Sequence, residues 1–201
     1  MSIEFRYFAH PHEFAHFSPT PATCDFCGEL RPYYSGPFFG LDDERETICE
    51  ECLAGGRLEP LEMATNSGDI AALRRQLATT HPEMSEAEIE RVARQRTIEV
   101  ETRTPSPQTW QYFDWPAHCG DYCRYIKEVG QPELLALAAD GDGPAYLAAH
   151  ASDISDIEHA REVWEGIRPD APTDISQAYS VGVYLFTCLV CGEHVLLWDC
   201  D

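Results

Sequence analysis

Lysine is almost missing from this sequence. Lys127 is the only one in 201 residues, and the 14 basic side chains face 35 Asp and Glu, for a net charge of −21. A surface of that sign repels phosphate backbones, which argues against direct binding to nucleic acid. It favours encounter with a basic protein instead. Host-wide acidity or plain solubility would give the same composition. The imbalance is steepest in residues 131–201, where 2 basic side chains meet 13 acidic ones.

Long apolar runs are missing too. No stretch reaches the roughly 18 residues a membrane helix needs. The start, MSIEFRYFAHPHEF, has no basic segment followed by an apolar one, so no secretory signal is expected and a cytoplasmic address is. There is no Walker loop, GxGxxG, GxSxG or HExxH, and His159-Ala160-Arg161-Glu162 lacks a zincin's second histidine. Nothing in the chain compels an enzyme.

Cysteine is plentiful. In a reducing compartment nine cysteines, several in close pairs, point to metal or catalysis more than to disulfides. Cys24-x-x-Cys27-Gly28 has the form of a zinc knuckle, with two residues between sulfurs and a glycine for the tight turn. Cys49 and Cys52 are three apart, and a helical turn over residues 50–53 would put both sulfurs on one side. Knuckle, a hairpin across RPYYSGPFF and a short helix make a treble-clef-like site with four thiolate ligands, for which zinc is the expected ion. Four protein sulfurs leave no open coordination position, so the expected role is structural. A redox dithiol is the alternative, although neither pair sits in a βαβ pattern.

Cys188-Leu189-Val190-Cys191-Gly192 repeats the knuckle near the C-terminus. It would need two more ligands, and His118, Cys119, Asp121 and Cys123 are the dense supply. Three readings stay open: a second zinc, a buried thiol cluster without metal, and a catalytic site with a water on a mixed ligand set or Cys119 as nucleophile beside His118. Cys200 reads as an unpaired terminal thiol, and His10, His12 and His16 as packing and turn chemistry.

Prolines 11, 19 and 21 mark an extended entry. Ile70, Leu73 and Leu77 have helical spacing. Ser85-Glu86-Ala87-Glu88 is a capping-box pattern opening a helix that Pro105 and Pro107 end. Asp121 is expected to cap a short helix carrying Tyr122, Tyr125, Ile126 and Val129, which would put Cys119 and Cys123 on one face. Short helices follow in ELLALAA, AYLAAHA and IEHAREVWEGI, then a hairpin of VYLFTC and HVLLWDCD. The expected class is α+β. It has an N-terminal treble-clef module over residues 1–60, then a helical middle and a C-terminal hairpin with its knuckle packed back on the core over residues 61–201. The two are expected to form one compact unit.

The order FRYFAHP, CDFCG, YYSGPFF, CEEC, WPAHCGDYC, YLFTCLVCG resembles the CbrC family, bacterial proteins linked to colicin tolerance. The resemblance covers residues 1–60, 105–130 and 183–201, and it carries over to Cys24, Cys27, Cys49, Cys52, His118, Cys119, Asp121, Cys123, Cys188 and Cys191. It implies a link to colicin tolerance. Together with the cysteine sites and the charge, the expectation is a zinc-stabilised, non-enzymatic protein with an immunity or tolerance role, using its acidic C-terminal third to bind a basic toxin such as a nuclease. The alternatives are a metal- or thiol-dependent enzyme at the His118/Cys119/Asp121/Cys123 cluster, or a redox- or zinc-responsive regulator.

Overall fold

The computed structural model describes residues 3–36, 44–169 and 179–200. The chain forms two compact units. The first is Met1–Gln108, Tyr112–Tyr125 and Cys188–Gly192; the second is Thr109–Gln111, Ile126–Thr187 and Glu193–Asp201. Both helices and strands are present, so the chain is mixed α+β.

In the first unit the entry is not wholly extended. Helix α1 (Pro11–Phe14) begins on a proline, whose missing N–H and fixed φ suit that position. Strand β1 (Phe17–Thr23) pairs antiparallel with β2 (Leu30–Ser35), and the register slips between Ser18 and Ala22, where Pro19 and Pro21 can donate nothing. Strand β3 (Thr47–Ile48) adds to the other side of β2. The partners of β2 are therefore β1 and β3; the second half of the expected hairpin, Pro37-Phe38-Phe39, lies outside the described residues. Helix α2 (Glu50–Ala54) follows, then a 3-10 turn at Glu59–Leu61 and the short strand β4 (Ser67–Gly68).

Helices α3 (Ile70–Thr80) and α4 (Glu86–Arg103) pack together, burying Leu73 and Leu77 against Ala93, Thr97 and Val100. Asp69 caps α3 through the Ala72 amide. Both halves of the capping box form on α4: Ser85 Oγ accepts from the Glu88 amide at 3.3 Å, and the Ser85 amide donates to Glu88 Oε2 at 2.8 Å. The far end of α4 is closed from inside. Buried Asn66 donates through Nδ2 to the carbonyls of Val100 (3.0 Å) and Thr104 (2.9 Å), groups the helix itself leaves unpaired.

Where a helix is expected after Asp121, residues 121–122 and 124–129 are strands. Strand β5 (Asp114–Trp115) pairs parallel with β4, while β6 (Ala117–His118) and β7 (Asp121–Tyr122) form a tight hairpin. Strand β8 (Arg124–Val129) comes next. Tyr125 and Val129 are four apart, which fits a helix face and also one face of a strand. Aromatic and β-branched neighbours settle it as a strand. Tyr7, Phe8, Trp115, Tyr122 and Tyr125 make this unit's core an aromatic one.

The second unit is aliphatic. Helices α5 (Gln131–Leu137), α6 (Gly143–His150) and α7 (Ile157–Gly166) cover a sheet ordered β10-β9-β8, in which β9 (Val181–Thr187) and β10 (His194–Cys200) form a regular hairpin. Leu134, Leu147, Val163, Val183, Leu185 and Leu196 lie in one buried cluster. Asp199 recruits residues 109–111 to this unit. Its carboxylate accepts from the amides of Trp110 (3.1 Å) and Gln111 (2.9 Å) and from Tyr184 Oη (2.9 Å). Among the described residues no helix is long and apolar enough to cross a membrane.

The two ends of α4 differ in exposure, and so should their mutants. Ser85→Ala is expected to cost about 1 kcal/mol. Asn66→Ala strands buried carbonyls and is expected to cost about 2–3 kcal/mol. Denaturant unfolding of both, metal content held equal, checks the order.

Candidate metal centres

The first centre is built by two elements that each aim a cysteine pair. Residues 24–28 turn tightly: the Gly28 amide donates to the Cys24 carbonyl at 2.8 Å, and Gly28 takes φ +73°, a conformation that favours glycine. Asp25 Oδ2 then accepts from the amides of Glu46 (2.9 Å) and Thr47 (2.8 Å), which ties the knuckle to the strand leading into the second pair. Cys49 caps α2 and Cys52 lies in its first turn. From outside, His12 stacks on Phe17 at 4.0 Å and its Nε2 meets Glu50 Oε1, the first residue of α2, at 2.5 Å. The HPH segment is thus packing, and it braces the helix that carries the ligands.

The four sulfurs lie within 4.8 Å of one another. Cys27 and Cys49 are 3.9 Å apart. A tetrahedral ion with metal–sulfur bonds of about 2.3 Å requires sulfurs about 3.8 Å apart, so the cage fits. At Cys24, burial pushes the thiol up, but amides from Cys49, Phe26 and Cys27 outweigh it and bring the pKa down to about 7. At Cys49, burial outweighs the amide bonding from Cys52 and leaves the pKa at about 11. Burial and the surrounding thiols push Cys52 up. A cation at the centre reverses that balance, because it favours the thiolate at every position.

The second centre joins two segments about 70 residues apart in sequence. Its first half is the turn of the β6–β7 hairpin. His118 pairs with Asp121, leaving Cys119-Gly120 as a two-residue loop with φ +53° and +78°, the signature of a type I′ turn. Sequence neighbours usually point apart; the left-handed turn at Cys119 is what lets both His118 and Cys119 serve one centre. The tip is clamped from below: Gln76 donates through Nε2 to the Ala117 carbonyl (2.5 Å) and accepts from the Gly120 amide (3.2 Å), while Arg96 donates to the Gly120 carbonyl. A Cβ on Gly120 would meet Thr80 Oγ1 at 2.8 Å and force that side chain to shift, which adds to the strain of φ +78° on any other residue.

The other half is the knuckle of residues 188–192. It repeats the first one, with the Gly192 amide donating to the Cys188 carbonyl at 3.0 Å and Gly192 at φ +78°. His118, Cys119, Cys188 and Cys191 bring their ligand atoms within 4.8 Å of one another. Cys119 Sγ and Cys191 Sγ are 3.7 Å apart, and Cys191 Sγ lies 3.4 Å from His118 Nδ1. A tetrahedral ion asks for about 3.8 and 3.6 Å. Burial and the thiols of Cys191 and Cys188 push Cys119 up to about 11. This centre is the more open one, since His118 and Cys119 are half-buried and Cys191 is exposed.

The remaining residues of the expected cluster have other duties. Asp121 is buried and salt-bridged: Oδ2 takes Arg6, and Oδ1 accepts from Tyr7 Oη and the Tyr122 amide, both at 2.9 Å, with Arg96 Nε at 3.5 Å. Cys123 is fully buried, and burial followed by Cys188 and Cys191 pushes its thiol up. Its amide donates to the Pro116 carbonyl and its own carbonyl accepts from Trp115 Nε1 at 2.7 Å. The helical face expected to unite Cys119 with Cys123 does not exist, because residues 119–120 are a turn and 121–122 a strand. Cys200 is an exposed thiol on β10. Gln76, Arg96 and Gly120 were not legible as positioning groups, since only the fold brings α3 and α4 to the hairpin tip.

Residues 3–200 match a family described as "Uncharacterised protein family (UPF0167)". The chain is 27% identical over 198 residues to the UPF0167 protein Mb2317 of Mycobacterium bovis, covering 98% of this chain and 92% of the relative. It is 28% identical over 195 residues to the UPF0167 protein PA1536 of Pseudomonas aeruginosa, covering 94% and 92%. No solved structure matches the chain at a significant level.

Asp121 and Cys119 should part company on mutation. Asp121→Asn is expected to cost about 2–3 kcal/mol, since it unpairs partly exposed arginines around a buried group, and to leave metal content unchanged. Cys119→Ser is expected to lose one metal per chain. Elemental analysis beside denaturant unfolding separates the two roles.

Proposed function

The chain belongs to the UPF0167 family, and for this member we propose a zinc-stabilised, acidic binding protein whose metal centres hold structure and perform no chemistry. One observation carries the reading: each centre gathers four potential ligand atoms within 4.8 Å of one another, close enough for one tetrahedral ion. Zinc suits both sets, since three or four soft thiolates with at most one imidazole select it and it has no redox chemistry. With four protein ligands no coordination position is left for a water, so neither ion would act as a Lewis acid toward substrate. The enzyme alternative loses ground on the same geometry. Asp121 is engaged by Arg6 and Tyr7, Cys123 is sealed in the core, and His118 and Cys119 face the Cys191 sulfur.

What the scaffold presents is negative charge. Residues 131–201 carry 13 acidic side chains against 2 basic ones, which would steer a basic partner and set the salt dependence of its association. The tolerance role implied by the CbrC resemblance is the narrower form of this proposal, with a basic bacterial toxin as the partner. It is supported by that charge and by the resemblance.

Purified without chelator, the protein is expected to hold two zinc ions, and Cys188→Ser one. Cobalt-substituted protein should show a four-coordinate thiolate spectrum that added cyanide leaves unchanged; a shift on addition would reveal an open position and overturn the structural role. A complex with a basic toxin nuclease is expected to weaken at least about tenfold between about 50 and 300 mM salt. Failure of a panel of such nucleases to bind at low salt removes the narrower form alone.

A further inference from the structure

The first unit contains a cleft of about 570 Å³ between the N-terminal segment and helix α4, and it gathers scarce positive charge. Arg6, Arg91, Arg94 and Arg103 all line it, four of the chain's 14 basic residues. That volume suits a small metabolite. Buried Phe5 and half-buried Ile98 give it an apolar side.

The four arginines divide into two pairs. Arg6 and Arg103 are held in place by carboxylates: Arg6 by buried Asp121 and by Glu99 at 3.7 Å, and Arg103 by Glu59 at 3.3 Å while its guanidinium lies across Gly56. Arg91 and Arg94 are exposed on α4, and neither has a carboxylate within ion-pair distance among the described residues; Glu88, three positions before Arg91, acts on it through space. They stand one turn apart, which sets their Cβ atoms about 5–6 Å from each other on one helix face. The carboxylates of Glu59 and Glu99 are engaged with Arg103 and Arg6, which leaves Glu4 as the one lining acid without an arginine partner among the described residues. Two exposed guanidiniums beside an apolar wall match an oxyanion on an apolar body. Guanidinium forks bind phosphate and carboxylate oxygens in pairs of parallel hydrogen bonds.

We propose that this cleft binds a small organic oxyanion, a phosphate monoester or a carboxylate, with Arg91 and Arg94 gripping the charged end and Phe5 and Ile98 receiving the apolar end. None of the residues lining it is a candidate ligand of either metal centre.

The test uses the full chain with its metals bound, labelled so that arginine Nε–Hε signals can be followed by NMR. It is titrated at fixed ionic strength with phenyl phosphate, inorganic phosphate and benzoate. A saturable shift at Arg91 and Arg94 is expected, with phenyl phosphate binding tighter than inorganic phosphate because only the former fills the apolar side. The tighter of phenyl phosphate and benzoate identifies the headgroup. Arg91→Gln with Arg94→Gln should weaken binding at least about tenfold while leaving metal content and circular dichroism unchanged. Shifts that stay linear to about 10 mM for all three probes, or that are equal at Arg75 and Arg161, would overturn the proposal.

Discussion

Thiols do not crowd together unaided, and the first unit depends on their doing so twice. In each centre four donor atoms sit within 4.8 Å of one another. Burial pushes the Cys49, Cys52 and Cys119 thiols away from ionising, and the neighbouring sulfurs add to the effect at Cys52 and Cys119. A divalent cation converts that liability into the strongest local attraction available, because ligand deprotonation and metal binding are one linked equilibrium. The closures differ greatly in span: 22 residues separate Cys27 from Cys49, and 72 separate Cys119 from Cys191. Loop entropy grows only as the logarithm of length, so the longer closure costs about 1 kcal/mol more. A single metal would offset that easily, which would account for a C-terminal knuckle belonging to a unit made mostly of residues 1–125.

The surroundings prepare each half of a centre in advance of the metal. Asp25 fastens the first knuckle to the strand before Cys49, and His12 with Glu50 steadies the helix behind it. At the second centre the hairpin tip rests on Gln76 and Arg96, one from each long helix, and those helices are fixed by Asp69, the Ser85–Glu88 box and Asn66. Asp121 belongs to the same support. Its buried carboxylate joins Tyr7 and Arg6 from the N-terminus to Arg96 of α4, and the residue sits on β7 as the register partner of His118. A carboxylate so heavily bonded is poorly placed to leave for a metal.

Local patterns were legible wherever one residue type has one physical use. Cys-x-x-Cys-Gly announces a knuckle, Ser-x-x-Glu a capping box, and two apolar strand-like runs around a knuckle a hairpin; all three elements are present. Residues 119–129 were misread because Tyr125 and Val129 satisfy helical and strand spacing alike, and because nothing in a sequence marks a non-glycine residue such as Cys119 for a left-handed turn. That turn decides the ligand set. With Cys119 on a helix, Cys123 would be its companion; with Cys119 at a type I′ turn, its companion is the preceding His118. Nor could a residue list reveal that Arg6, 85 positions before Arg91, shares a cleft with it.

The acidic charge and the arginine cleft would suit different partners, and screening would let one chain address both. At physiological ionic strength the Debye length is about 8 Å, so a ligand inside the cleft feels the guanidiniums that touch it far more than the carboxylates of distant elements. A macromolecule approaching from solution meets the summed field first, and that field is negative. Salt therefore acts on the two in opposite senses during approach. It weakens the steering of a basic protein, and it relieves the repulsion that a net charge of −21 imposes on a small anion. An anion that reaches the cleft must be held by short-range hydrogen bonds, which is the kind of contact paired arginines make and a lone lysine does not.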